Sequence, residues 1–377
     1  MSLFKKDIII GTILVFMLVL NVLIASILNF NVYLSMAVSI ILIFYLLLTT
    51  KIKMQDLAFS CLYITLFTVS VLFSQNIQMS LMNFIIFLLF ICYVCFFKNI
   101  NIDKHIILKS IAIGIIFSSF RIVFLNFDII INPANISIHE RFDAYFIGGI
   151  NNMSYLTTLA IIILYYENFK KNTKRVLIIY LIIFNLLTLS RGGNIAMLLF
   201  FLYISLKKNT IKRLAYIVFV FLVISLSIYN WFPDVYELLI NRFDISTDTS
   251  GAGRTQIWLA TLSSINDAKG LLLGAGPGTF RYMTNMHTAT SVHNQFFDIL
   301  YGNGIIFLTI VFFQIIYLLN ITLKNKDSYI LAMNGLYLFS FIFDTRLWVV
   351  QTFWVYAIII GLTLKQKNEK KHIYNNY

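Results

Sequence analysis

Charge is scarce in this chain. Only 12% of its 377 residues are Asp, Glu, Lys or Arg, against about 25% in an ordinary soluble domain. Hydrophobic residues make up 59%, and mean hydropathy is +0.84. That balance excludes a soluble globule. Cysteine is scarce too, with Cys61, Cys92 and Cys95 all inside apolar runs. Cys92 and Cys95 stand one helical turn apart, but no second pair or nearby His completes a zinc site. They read as small apolar side chains. No small-residue cleavage site follows the first apolar run, Ile8 to Leu28, so this run behind Lys5 and Lys6 reads as a span rather than a signal peptide. The glycine-rich stretch Gly274–Phe280 lacks a following Gly-Lys-Ser/Thr, which excludes a phosphate-binding P-loop.

What the chain does have is repeated apolar runs of membrane-spanning length. They predict an all-α, polytopic membrane helix bundle of about twelve transmembrane helices. The expected spans are Ile8–Leu28, Val32–Leu48, Leu57–Phe73, Leu81–Phe97, Ile106–Leu125, Asn152–Tyr166, Val176–Leu189, Asn194–Leu206, Ala215–Trp231, Phe296–Leu319, Ser328–Phe343 and Leu347–Leu364. The seventh and eighth are short and read as a helical hairpin. Three regions follow: helices 1–6 over residues 1–170, a core over 171–320 with a long, partly helical outer loop at 232–295, and two final helices with a basic tail over 321–377.

Placing the N-terminus in the cytoplasm puts 21 of the 29 Lys and Arg on the inner side, as the positive-inside rule requires. The net charge of +13 is thus a topology signal, and no nucleic-acid partner is needed to explain it. The sorting also separates the two cations. Inner ones are 19 Lys and 2 Arg, whereas the outer eight are 7 Arg and 1 Lys. Topogenesis does not distinguish Lys from Arg, but a guanidinium grips phosphate or carboxylate with two parallel hydrogen bonds. The outer face is therefore expected to hold an anion; pairing with outer carboxylates is the competing explanation.

The outer polar groups fall in a few places. Arg121 lies near the end of the fifth span, where it either faces a cavity or snorkels to headgroups. The segment Asn126–Asn151, with His139-Glu140-Arg141 and Gly148-Gly149, is too polar to span and is expected to form a flap. Ser190-Arg191-Gly192-Gly193 forms a turn between two apolar helices, where glycines permit positive φ and close approach. The opening turn of the next helix would add its dipole to the Arg191 charge.

In the long loop, Thr249 or Ser250 is expected to cap a helix from Arg254 to Asn266, with Ile257, Trp258, Leu262 and Ile265 as its apolar stripe. Gly274–Phe280, including Gly276 and Gly278, reads as a tight turn that lets backbone pack or approach a ligand. His293 is expected in the first turn of the tenth span with Ser291 as cap, in positive potential that favours the neutral imidazole. Neutral imidazole can serve as a general base; a structural hydrogen-bonding role is the alternative.

Four pieces come in a fixed order over residues 174–320: Leu189-Ser190-Arg191-Gly192-Gly193; Gly253-Arg254 with Trp258; Gly274-Ala275-Gly276-Pro277-Gly278-Thr279-Phe280; and His293-Asn294-Gln295-Phe296 leading into Gly302-Asn303-Gly304-Ile305. In this order the chain resembles the O-antigen ligase and Wzy-type polysaccharide polymerase family. The resemblance implies a glycosyltransferase of the bacterial cytoplasmic membrane, acting on the outer face upon an undecaprenyl-diphosphate-linked oligosaccharide. It implies that Arg191 and Arg254, with Arg121 as a further candidate, bind the lipid diphosphate, and that His293 activates the acceptor hydroxyl. Ser190, Gly192, Gly193, Trp258, Gly276, Gly278 and Asn294 are the expected supporting residues. No cofactor and no metal is implied; partners are membrane lipids and a flippase and chain-length regulator of the same pathway. A repeat-unit polymerase is the favoured expectation, with a ligase to lipid A core as the alternative. A secondary carrier of a small anion is the reading from another class, weakened because the two halves do not resemble each other. A structural subunit of a glycan-export assembly is a third.

Overall fold

The computed structural model describes residues 3–28, 31–127, 149–207, 230, 254–265, 268–280, 292–345, 349 and 352–374. Among these the protein is helical throughout, with no strand. The helices are α1 (Leu3–Leu28), α2 (Asn31–Thr49), α3 (Met54–Leu72), α4 (Ile77–Asn99), α5 (Lys104–Leu125), α6 (Ile150–Tyr166), α7 (Lys171–Leu187), α8 (Arg191–Lys207), α9 (Arg254–Ser263), α10 (Ala268–Leu273), α11 (Gln295–Asn325), α12 (Ser328–Phe343) and α13 (Phe353–Tyr374). Eleven of these occupy expected spans; the ninth, Ala215–Trp231, lies outside the described residues except for Asn230. The last helix starts at Phe353 rather than Leu347 and runs on to Tyr374. By length and composition, α3, α4, α5 and α11 are long and apolar enough to cross a membrane.

The chain divides into two compact units. The first comprises Met1–Ile13, Phe30–Ile106 and Ser250–Tyr377. Its centre is α13, buried on every side over residues 352–363, as an all-round apolar helix must be to hide its surface. It lies against α4, where a Cβ on Gly361 would sit 2.7 Å from Phe97 Cβ and 2.9 Å from the Val94 carbonyl. Between α3, α4 and α11 the rings of Phe67 and Phe87 stack at 4.4 Å, and Phe307 meets both edge-on at 5.7 Å. Offset and edge-on geometry is what the ring quadrupoles favour. The nearly buried Asp56 is paired with Lys98 and takes the Asn99 amide at 2.6 Å, so its charge is not left uncompensated.

α11 is broken. Gly304 has φ +78°, ψ 175°, and this left-handed φ favours glycine. The break removes the normal partners of the Tyr301 and Gly302 carbonyls, and an unpaired buried carbonyl is costly in hydrocarbon. The 274–280 loop supplies the replacements: Ala275 N–H donates to Tyr301 at 2.7 Å and Gly276 N–H to Gly302 at 3.1 Å. Asn303's carbonyl accepts from Ser70 Oγ at 3.4 Å. The glycine-rich loop and the broken helix are thus one interlock.

At the other end of the same unit, Asp327 caps α12 by accepting from Tyr329 and Ile330 N–H at 3.0 and 3.1 Å. Its second oxygen takes Gln366 at 2.6 Å and Lys104 at 3.5 Å. Burial works against the charged carboxyl, but these four donors outweigh it and hold it below its ordinary value. A depressed folded value means the stabilisation is complete above the ordinary carboxylate range and lost as pH falls through that lower value. Asp327→Ala is expected to cost about 0.5–2 kcal/mol. The check is a thermal shift in detergent, which should shrink in acid; an equal shift at every pH would contradict the charge's role.

The second unit comprises Leu14–Asn29 and Ile107–Thr249. Here α6 is buried along almost its whole length and packs on α7 and α8. Its Ser154 and Thr158 carry a small polar network inside the unit. Ser154 Oγ donates to Asn185 Oδ1, and the Asn185 amide reaches Thr158 Oγ1 at 3.3 Å and the Gly193 carbonyl at 3.4 Å.

Candidate functional site

The candidate residues divide between the units. Arg121, Ser190, Arg191, Gly192 and Gly193 belong to the second; Arg254, Trp258, Gly276, Gly278, His293 and Asn294 belong to the first.

In the second unit, α7 ends where Leu189 turns into the left-handed region at φ +52°. Ser190 then caps α8. Its carbonyl takes the first helical bond from Asn194 at 3.0 Å, and its Oγ accepts from Gly193 N–H at 3.4 Å. Arg191 is accordingly the first helical residue, half-buried, at the positive end of a 17-residue helix. The expected positive φ at the glycines is corrected: Leu189 makes the turn, and Gly192 and Gly193 lie within the first turn of α8. Their value is close approach. A Cβ on Gly192 would fall 2.1 Å from Tyr155 Oη, and one on Gly193 1.7 Å from Ser154 Oγ. Seating the helix start directly on α6 fixes where the Arg191 guanidinium begins. Arg121 stands one turn before the end of α5, its guanidinium 5.5 Å from the Phe124 ring centre. Its neighbour Phe120 stacks on Tyr180 of α7 at 4.4 Å.

In the first unit, Arg254 opens α9. That helix ends at Ser263, short of the expected Asn266, which lies outside the described residues. The expected stripe also needs correction: Ile257 is buried, while Leu262 is 46% exposed beside Leu259 at 62%. Ending after ten residues, the helix buries only the Ile257–Thr261 side. Trp258 makes the link that matters, its indole N–H donating to the Val292 carbonyl at 3.1 Å and its ring meeting Phe297 at 5.7 Å. Ile257, Phe280, Val292 and Tyr301 form one buried cluster. Arg254's helix, the end of the glycine loop and the approach to His293 are thus packed into a single piece.

The glycine loop meets protein. A Cβ at Gly276 would strike Ser74 Oγ at 2.1 Å, and one at Gly278 the Asn83 amide at 1.9 Å. Ser80 Oγ donates to the Pro277 carbonyl at 3.0 Å. Of the two uses open to this turn, packing is the one these contacts display.

His293 is not in the first turn of α11. It precedes the cap and has φ +53°; Asn294 is the cap, accepting from Phe296 and Phe297 N–H at 2.9 and 3.1 Å. Ser291, the expected cap, lies outside the described residues. Asn294 also donates its amide to the Ile342 carbonyl at 3.0 Å, tying the start of α11 to the end of α12. That tie brings Asp344 beside His293, with Oδ1 3.6 Å from Nδ1. The carboxylate therefore lies on the Nδ1 side of the ring. At 3.6 Å this is an ion-pair distance rather than a hydrogen bond; such contacts often tighten only when substrate is bound.

Sequence reasoning missed Asp344. Its signal was present, a carboxylate ending an otherwise apolar span, but nothing in the chain order links it to a histidine 51 positions earlier (344 − 293). Several expected features lie outside the described residues: most of the Asn126–Asn151 segment with His139, Glu140, Arg141 and Gly148, the caps Thr249 and Ser250, and Gly253.

Residues 176–313 match the family model described as O-antigen ligase. The match contains Arg191, Arg254 and His293. No curated protein matches the chain.

Proposed function

From the match to the O-antigen ligase family model at residues 176–313, we propose that this chain is a glycan polymerase of the bacterial cytoplasmic membrane. It transfers an oligosaccharide repeat from undecaprenyl diphosphate to a sugar hydroxyl of a second lipid-linked repeat. The bundle has twelve spans with both termini cytoplasmic, and the reaction takes place on the outer face. The observation that carries the reading is that this one match holds the two arginines and the histidine that the chemistry needs.

The acceptor hydroxyl attacks the anomeric carbon from the face opposite the diphosphate. Its new C–O bond forms as the bond to the diphosphate oxygen breaks, so the anomeric configuration inverts. His293 Nε2 takes the hydroxyl proton and later releases it to water, while Asp344 steadies the imidazolium that forms. Negative charge grows on the departing lipid diphosphate. Arg254, at the start of α9, stabilises that charge, and the family resemblance gives the same role to Arg191, with the dipole of α8 behind it. Preorganised donors are worth most here because they need no reorganisation during the reaction.

A ligase uses the same donor chemistry with lipid A core as acceptor, and the family's description as O-antigen ligase favours that second reading. Reconstituted protein given only undecaprenyl-diphosphate-linked repeats is expected to produce a ladder of lengthening products. Transfer seen only after lipid A core is added would make it the ligase. Counterflow of a small anion without glycan chemistry would displace both in favour of a carrier.

A further inference from the structure

Asn294 stands between His293 and α11, and it is only 7% exposed. Both ends of its amide are in use. Oδ1 accepts from Phe296 and Phe297 N–H at 2.9 and 3.1 Å, while Nδ2 donates to the Ile342 carbonyl at 3.0 Å. This division fixes which way the amide faces, because turning it over would set Nδ2 against two donors and Oδ1 against a carbonyl. Buried and so engaged, the side chain is not placed to contact a sugar or a phosphate. The bond to Ile342 instead closes a short bridge. His293 is one position before Asn294, and Asp344 is two positions after Ile342. A second link across the bridge is the Phe296 ring, which meets Phe341 edge-on at 6.3 Å. Ring contacts tolerate sliding, whereas a hydrogen bond weakens steeply as its angle falls, so the amide is the directional contact of the two. Beyond the bridge, Asp344 N–H donates to the Ser340 carbonyl at 2.9 Å, and its Oδ1 accepts from Thr345 N–H at 2.9 Å. The carboxylate is thus held to the end of α12, and the end of α12 is held to Asn294.

We propose that Asn294 is a positioning residue for the transfer reaction: its amide holds the Asp344 carboxylate beside the His293 imidazole, and it touches neither substrate nor reacting atoms. The inference rests on the general-base role given to His293 in the preceding subsection. When the acceptor hydroxyl gives up its proton, positive charge develops on the imidazole. A carboxylate already held at the ring stabilises that charge without reorganisation, whereas one free to swing away must be brought back in every turnover. Asn294 therefore does two separable jobs with the two ends of one amide. Oδ1 starts the helix, and Nδ2 sets the spacing of the base and its carboxylate.

Asn294→Ser in the full-length protein separates these jobs. Serine caps a helix about as well as asparagine does, but its one oxygen is a bond nearer the backbone and it has no second arm for Ile342. The expected result is a fall in kcat of up to about 10²-fold, the cost of a displacement of about 1 Å. KM for the lipid-linked repeat should stay unchanged. Because Asn294 acts through Asp344, Asn294→Ser should cost nothing further in protein that already carries Asp344→Asn. Combined with Arg254→Lys, which acts at the leaving group, the losses should multiply. Asn294→Asp, a cap without a donor, is the second variant and should not restore turnover. Wild-type kcat in both variants, a rise in KM alone, or losses that multiply with Asp344→Asn would overturn the assignment. His293→Ala tells this inference from the reading beneath it. Turnover lost in His293→Ala but kept in Asn294→Ser removes only the positioning role; turnover kept in His293→Ala removes the base, and the role of Asn294 with it.

Discussion

Arg191→Lys lowers the initial rate of ladder formation about 10²–10³-fold, the usual loss for one preorganised transition-state donor. The substitution keeps the positive charge at the first position of α8. It also leaves in place the Ser190 cap and the seating of Gly192 and Gly193 on α6, because none of these uses the arginine side chain. What it removes is the planar fork that holds two phosphate oxygens at once. The expected signature is therefore lost transfer with normal membrane insertion. Wild-type polymer length in this variant would sink the diphosphate role of Arg191.

The second large effect is at His293. Alanine there is expected to lower turnover about 10²–10⁴-fold, the range for general-base help. Because alanine must take up the left-handed φ of +53° at this position, membrane insertion of His293→Ala is measured beside its turnover. Asp344→Asn retains the side chain's shape but removes the carboxylate beside Nδ1. It should give a smaller loss than His293→Ala, and the double variant should lose little beyond His293→Ala alone, since the carboxylate acts through the imidazole. Unchanged turnover in His293→Ala removes it as the base. Fully additive losses would instead mean that Asp344 contributes independently of the histidine.

Much of this architecture can be read from residue order. A helix must satisfy its own backbone groups in hydrocarbon, so runs of apolar residues specify helices almost without regard to neighbours. That explains why the expected spans and the observed helices coincide so closely at α2, α5 and α12. Ser190-Arg191-Gly192-Gly193 was legible for the same reason: capping and helix-start chemistry is local, acting within four residues. The error there was also local, since nothing in the sequence says which residue of a turn takes the positive φ, and Leu189 took it. Periodicity predicts the stripe on α9, but how much of a stripe is buried depends on what lies against it. Leu262 is left 46% exposed.

Composition and order by themselves determined the helical class, the apolar lengths and the motif stretches that hold Arg191, Arg254 and His293, because each depends on interactions within one segment. Tertiary structure decided the rest. It spent the Ala275 and Gly276 N–H groups on the Tyr301 and Gly302 carbonyls beside the break at Gly304, a match between residues 26 positions apart (301 − 275). It placed His293 ahead of the helix by making Asn294 the cap, and through the Ile342 carbonyl it brought Asp344 to the imidazole. Those outcomes depend on which distant backbone groups are left unpaired and which side chains can reach them, and such pairing exists only once the helices have packed.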